Sequence, residues 1–380
     1  MNARYLVFAI ALLTTAVGRA DDPWHLLDPI WSSKTVHGES VLFVQDTPEK
    51  RPNARLLLPV KRMIEVIRAD RSQAFEEGRD YAIDRTAGTL ELPEGSRIPF
   101  ITGAELFPPK GSERSIPHKS GDESRDVLCE LKHWFHDHQL EITYEPAEPW
   151  SGYRPTVASK SLARTIGKLK RGEPLTIGVS GDSITTGVNA SLTGNVPPQQ
   201  PGYAQLVADQ LQRSFGSPIK LVNRAVVGWR VEDGLKDLDV LLAERPDVVV
   251  IAYGMNHFGS RDPEAFKRAL GVMIQRIRAT DTDIEIILVA PMHGNSDWIR
   301  TPREQFAPHR DAIASFVGAR IAMTDLTTLW GEMLKRKRDC DLTGNGVNHP
   351  NDFGHRLYAQ AVLGLLLESG IAERNLHERG

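Results

Sequence analysis

Two cysteines in 380 residues, Cys129 and Cys340, are too few to staple a scaffold, so any fold must rest on a packed core. Long apolar runs are equally scarce: the one from Leu6 to Val17 is shorter than the ~20 residues that cross a bilayer, and no later segment approaches it. An excess of basic charge is missing too. Lysine and arginine number 46 against 49 acidic side chains, a formal charge of −3, which gives no electrostatic pull toward nucleic acid. No glycine-rich phosphate loop or dinucleotide fingerprint occurs, so no organic cofactor is implied. What is left is an ordinary globular composition, 41% hydrophobic and 25% charged, in a chain long enough for two domains.

The first twenty residues, MNARYLVFAIALLTTAVGRA, place Arg4 before the apolar run and small residues at Gly18 and Ala20. That is the pattern of a cleavable secretory signal ending at Ala20, and it predicts a secreted or periplasmic protein with no membrane span once the signal is removed. Cleavage takes away Arg4 and Arg19, leaving 44 basic against 49 acidic side chains and a charge of −5. In an oxidising compartment the two cysteines are free to pair or not, and the sequence leaves both open.

The pattern changes along the chain. From residue 21 to about 150 it is strand-like, with SVLFVQ, ARLLLPV, MIEVI and QLEITYE separated by turn residues, and DYAID-RTAG-TLELP reading as a hairpin with Gly88 at a positive φ. This predicts a β-rich, sandwich-like accessory domain over residues 21–150. The proline-rich EPAEPWSGYRP and the helical spacing of Leu162, Ile166 and Leu169 predict a linker and leading helix over 151–172. From 173 to 380, short apolar strands (LTIGVSG, KLVNRAV, DVVVIAY, IEIILVAP, ARIAMTDL) alternate with amphipathic helices, which predicts a parallel sheet covered on both faces. Functional sites of such sheets lie beyond the carboxyl ends of the strands.

Four features fall at those ends. VSGDSITTG puts Ser183 after the first strand, NRAVVGW puts Gly228 after the second, YGMNH puts Asn256 after the third, and NGVNHPND puts His349 before the final helix. A hydroxyl, a base to take its proton and donors for an oxyanion are the requirements of nucleophilic acyl transfer. The α/β-hydrolase elbow G-x-S-x-G is excluded, since Thr185 stands where its second glycine would be.

In this order the blocks GDS, Gly228, G-M-N and H-P-N resemble the SGNH (GDSL-like) hydrolase superfamily, over roughly Leu175 to Gly370. The resemblance implies a flavodoxin-like, three-layer αβα fold. It assigns Ser183 as nucleophile, His349 as general base, and the backbone N–H groups of Ser183 and Gly228 with the Asn256 side chain as the oxyanion hole. Two positions depart from the pattern. The aspartate that orients the histidine, three residues before it, is here Gly346, so the candidate partners of His349 are Asn345, Asn348 and Asp341 or a backbone carbonyl. His257 stands where the family more often has aspartate, either as a substrate contact or as a hydrogen-bond partner of a neighbouring loop.

Secretion, an added β-rich region and the H-P-N-D form of the last block resemble carbohydrate esterases that remove acetyl groups from polysaccharides. Trp150, Trp229 and Trp298 are candidate stacking surfaces for sugar rings. Two alternatives stay open: a lipase or lysophospholipase of the same superfamily, and a non-catalytic carbohydrate-binding protein on a degenerate hydrolase fold. His136 and His138, read on one face of a strand, lack a third ligand at useful spacing. Around His349, Asp352 and His355, the residues Pro350 and Asn351 read as the opening of a helix running to Leu367 with Asp352 in its first turn, so no metal is expected. The partner implied is a small-molecule or polysaccharide ester.

Overall fold

A computed structural model describes residues 23–367, so the signal segment read at 1–20 lies outside it. Among the described residues, no helix is long and apolar enough to cross a membrane.

The β-rich region consists of β1 (Val36–Gln45), β2 (Asn53–Arg55), β3 (Val60–Arg68), β4 (Ala82–Asp84), β5 (Thr89–Glu91), β6 (Phe100–Thr102), β7 (Ser115–Ile116), β8 (Val127–Leu128) and β9 (Gln139–Pro146). Its strands form one seven-stranded sheet, in the order β3-β9-β1-β2-β5-β4 with β6 beside β1, and β7 pairs with β8 in a separate ribbon. Instead of stacking two sheets as a sandwich does, it curls a single one. The long strand β1 is the cause: Val36–Leu42 pair with β9, while Phe43–Gln45 change partners to β6 and β2. The expected hairpin is β4 and β5, closed by a turn that ends at Gly88 with φ +65°.

The second half carries β10 (Leu175–Gly181), β11 (Ile219–Asn223), β12 (Val248–Ala252), β13 (Glu285–Ala290) and β14 (Ile321–Asp325), a parallel sheet in the order β11-β10-β12-β13-β14. Central strands that are buried along both faces, such as β12 and β13, need cover on both sides. Val248, Val250, Ile287 and Val289 face one core with the helices Ala163–Lys170, Tyr203–Phe215 and Asp352–Leu363. Val249, Ile251, Ile286 and Leu288 face another with the helices Val231–Ala243, Pro263–Thr280 and Phe306–Ala314. Strand order reverses on either side of β10, so a crevice opens beyond its carboxyl end, between the loops after β11 and β12.

The β-rich sheet lies over the first of these faces, and its Val36, Val41, Phe43, Leu140 and Ile142 belong to the same core cluster as Ile177 and Val250. The helix Asp352–Leu363 is therefore sandwiched, and all twelve of its residues are buried. Its polar side chains find partners across the contact: the Arg356 guanidinium donates to Glu141 (2.8 Å) and to the Gly38 carbonyl. Just before the helix, the Asn351 amide donates to Ser40 Oγ (2.8 Å).

Candidate active site

Ser183 leaves β10 at the first position of a one-turn helix, Ser183–Thr186, capped by Asp182, whose carboxylate accepts from the Ile184 N–H at 3.0 Å. The turn ends on Gly187 in the left-handed conformation. This sharp strand-to-helix bend sets the Ser183 hydroxyl beyond the carboxyl end of β10. Burial pushes the Asp182 carboxyl up to about 7.

His349 comes from the segment before the helix Asp352–Leu363. Its Nε2 lies 2.9 Å from Ser183 Oγ, hydrogen-bond reach for proton transfer. Both side chains sit deep, the serine 3% and the histidine 7% exposed. Loss of solvent disfavours the imidazolium and pushes the His349 pKa down to about 4.

The oxyanion candidates come from the next two loops. After β11 the chain is tied to β10 by Arg224 N–H to the Val179 carbonyl (2.8 Å) and Val226 N–H to the Gly181 carbonyl (3.2 Å). That leads to Gly228 at φ +80° with open space around its Cα. After β12, Gly254 takes φ +141°, and a Cβ there would lie 2.6 Å from Pro291 Cγ, so only glycine fits ahead of Asn256. The two loops are joined: Asn256 Nδ2 donates to the Trp229 carbonyl and Arg230 Nε donates to the Asn256 carbonyl, both at 3.0 Å. One amide hydrogen of Asn256 is thus held by the loop, and the other is its means of reaching a ligand.

The candidate orienters of His349 part company. Asp341 is committed elsewhere, accepting from the Leu42 and Arg338 N–H groups at 2.8 Å, and does not reach the ring. Asn348 Oδ1 accepts from Asn345 Nδ2 at 2.9 Å rather than from the imidazole. Asn345 does reach it: its Nδ2 lies 3.2 Å from His349 Nδ1, while its Oδ1 accepts from the backbone N–H groups of Val347, Asn348 and His349, each at 3.0 Å. A residue that sequence reasoning missed stands as close: Asn189 Oδ1, 3.0 Å from the same Nδ1. No motif marks it.

Gly346, in the place of the family's aspartate, has φ +79°, and a Cβ on it would lie 2.4 Å from Phe135 Cζ and 2.8 Å from the Leu128 carbonyl oxygen. The β-rich region fills the space that a side chain there would need.

Other expectations are corrected by packing. His257 is 3% exposed, its ring 4.7 Å from Phe266 and its Nε2 3.3 Å from Glu232, so it bonds the first turn of the helix Val231–Ala243, neither a neighbouring loop nor an open substrate surface. KHWFHDHQ is not a strand: Trp134–His138 is a short helix, in which His138 Nδ1 meets the Trp134 carbonyl and His136 Nε2 the Pro197 carbonyl. Among the described residues no cluster of three or more metal-capable side chains occurs. The two cysteines are unpaired. Trp150 donates to the Tyr153 carbonyl and packs on one core, Trp229 packs on the other, and Trp298 is half-buried on a loop beyond the strand ends.

Residues 179–357 match the model of the GDSL-like lipase/acylhydrolase family. No curated protein matches the chain. Among solved structures, a two-domain esterase active on acetylated mannans, co-crystallised with mannopentaose, aligns at 21% identity and a TM-score of 0.45. That alignment spans 57% of this chain and 56% of the other, so the chain accounts for little more than half of that relative. An acetylxylan esterase from Geobacillus stearothermophilus aligns at 21% identity and a TM-score of 0.43, over 53% of this chain and 98% of the other. An α/β hydrolase from the metagenome of Lake Arreo, Spain, aligns at 21% identity and a TM-score of 0.41, over 51% and 97%.

Proposed function

With residues 179–357 forming a GDSL-like lipase/acylhydrolase domain, we propose that the protein is an exported serine esterase that removes acetyl groups from a carbohydrate. The observation that carries this reading is the 2.9 Å contact between Ser183 Oγ and His349 Nε2 at the strand-order reversal, with Gly228 and Asn256 on the two adjoining loops.

His349 takes the hydroxyl proton as Ser183 Oγ attacks the ester carbonyl. The charge that develops on the carbonyl oxygen meets the Ser183 and Gly228 N–H groups and the Asn256 amide, donors held in place before the reaction begins. Collapse breaks the acyl C–O bond, and His349 returns the proton to the leaving alcohol. Water, deprotonated by the same imidazole, then attacks the acyl-serine, releasing acetate and restoring the hydroxyl.

The depth of the serine and histidine supports a small acyl group, because a bulky chain would need a wider approach to a nucleophile 3% exposed. The half-buried indole of Trp298 on a loop beyond the strand ends supports a sugar as the alcohol. A second reading, an esterase for longer acyl chains, is favoured by the exposed Leu131, Leu192 and Val227 on three separate loops.

Acetate release from p-nitrophenyl acetate and acetylated xylan, by residues 21–380 and by Ser183→Ala, tests the proposal. Loss of about 10⁴-fold or more in the variant supports the serine esterase. Turnover that rises from acetyl to octanoyl esters would replace the carbohydrate by a lipid, and turnover untouched by the substitution would remove the esterase reading.

A further inference from the structure

We propose that Asn189 is the positioning residue of His349, its amide oxygen holding the Nδ1 proton so that Nε2 is bare toward Ser183. The inference rests on the esterase reading and fills the place that Gly346 leaves without a side chain.

The orientation of the Asn189 amide follows from its surroundings. Its nitrogen faces three carbonyl oxygens, of Leu131 (3.2 Å), Lys132 (3.1 Å) and Gly344 (3.2 Å). Turned over, the amide would press its own oxygen against all three. The nitrogen therefore belongs there, and the oxygen faces the imidazole at 3.0 Å. The backbone is shaped for this contact: Asn189 adopts φ +64°, a left-handed conformation that asparagine tolerates better than most residues, and the loop presses so close that a Cβ on Gly344 would lie 2.7 Å from Asn189 Cβ.

Asn345 cannot perform the same task. Three backbone N–H groups hold its oxygen, so it turns a nitrogen to His349 Nδ1. A neutral imidazole thus meets one acceptor and one donor at a single ring nitrogen. With the proton on Nδ1 it bonds Asn189, and its Nε2 lone pair can take the serine proton. With the proton on Nε2 it bonds Asn345 through a bare Nδ1 and has no lone pair for Ser183. Once the ring becomes an imidazolium, both nitrogens are donors and only Asn189 remains as a partner for Nδ1. Removing Asn189 leaves the donor alone and favours the inactive tautomer.

The test reads the tautomer directly, by ¹⁵N NMR of histidine-labelled full chain without substrate, with the His349 signals identified by their loss in His349→Gln. The expected spectrum shows the Nδ1–H tautomer in the wild type and a shift to Nε2–H in Asn189→Ala, with kcat down about 100-fold or more and KM within a few-fold. Asn189→Asp keeps an acceptor on Nδ1 when its other oxygen is protonated and donates to the Leu131, Lys132 and Gly344 carbonyls, so in that form it should keep Nδ1–H, and it decides the matter if the alanine variant unfolds. An Nδ1–H tautomer with wild-type kcat in Asn189→Ala, or Nε2–H in Asn189→Asp, would overturn the proposal. Ser183→Ala with undiminished turnover would instead sink the esterase reading and leave the tautomer result standing, so the two failures are told apart.

Discussion

Gly346 shows how one residue records the packing around it. Restoring an aspartate there would force a non-glycine residue to φ +79° and drive its Cβ into Phe135 and the Leu128 carbonyl. Strain of roughly 1–3 kcal/mol for the backbone, with overpacking of similar size, should lower the thermal midpoint of Gly346→Asp by several degrees without raising kcat. A thermal melt alongside an acetyl esterase assay checks both halves. The catalytic imidazole makes a second prediction at this scale. A general base must be unprotonated, and burial holds His349 at about 4 instead of its ordinary 6.5. The acid limb of kcat/KM should therefore fall near pH 4, and a limb centred on 6.5 would show that the free enzyme solvates the ring. Ser183, Gly228, Asn256 and His349 were legible because each sits in a short local block at the end of an element. Asn189 was not, since its partners Leu131, Gly344 and His349 lie 58, 155 and 160 residues away.

The stretch Leu334–Asn351, which carries His349 at its far end, is pinned element by element to the curled sheet. Lys337 Nζ, fully buried, donates to Glu39 Oε1 and the Arg55 carbonyl, each at 2.8 Å, and Glu39 Oε2 accepts from Tyr144 at 2.7 Å. Gln139 Nε2 donates to the Cys340 and Thr343 carbonyls at 2.8 Å. Removing one member of a buried pair strands the other's charge, so Lys337→Met should cost about 3–5 kcal/mol. Adding Glu39→Gln to Lys337→Met should recover part of that loss, because the stranded carboxylate is gone. Urea unfolding of the two singles and the double measures the coupling, and strictly additive losses would show that the pair is not one unit. The strands of the parallel sheet could be read from their runs of apolar residues, as could the leading helix from Leu162, Ile166 and Leu169. Two element-scale readings needed tertiary information. KHWFHDHQ has the alternation of a strand, but Phe135 is drawn into the cluster of Leu42, Leu128 and Cys340 as a turn of helix. Nothing in β1 announces that it changes partners at Leu42, because pairing with β9 and with β6 both satisfy its apolar side chains.

Across the whole molecule, the same burial that builds the site sets how stability depends on pH. His257, His293, His349 and His355 are each pushed down to about 4 by desolvation, while Asp182 and Asp339 are pushed up to about 7 by the same cause. Between pH 4 and 6.5 the unfolded chain protonates those four imidazoles and the folded one does not, whereas the folded chain keeps protons on the two carboxyls that the unfolded one has lost. The unfolded state then binds more protons, so stability should rise with pH through this window, by roughly 1–3 kcal/mol per pH unit. At pH 6.5 the unfolded imidazoles are still half protonated, and only toward about pH 7 does their combined uptake fall to that of the two folded-state carboxyls, beyond which the slope reverses. Below 3.8 a further loss sets in as Asp80, held down to about 2 chiefly by its hydrogen bonds to Arg97, is forced to protonate. The stability curve should therefore peak at about pH 7. Urea midpoints taken from pH 4 to 8 decide it: a maximum in that region is expected, and a curve flat or falling from pH 4 to 6.5 would mean that these histidines titrate as if exposed. Such a result would also undercut the low His349 pKa behind the expected acid limb, since that ring contributes to both stability and catalysis.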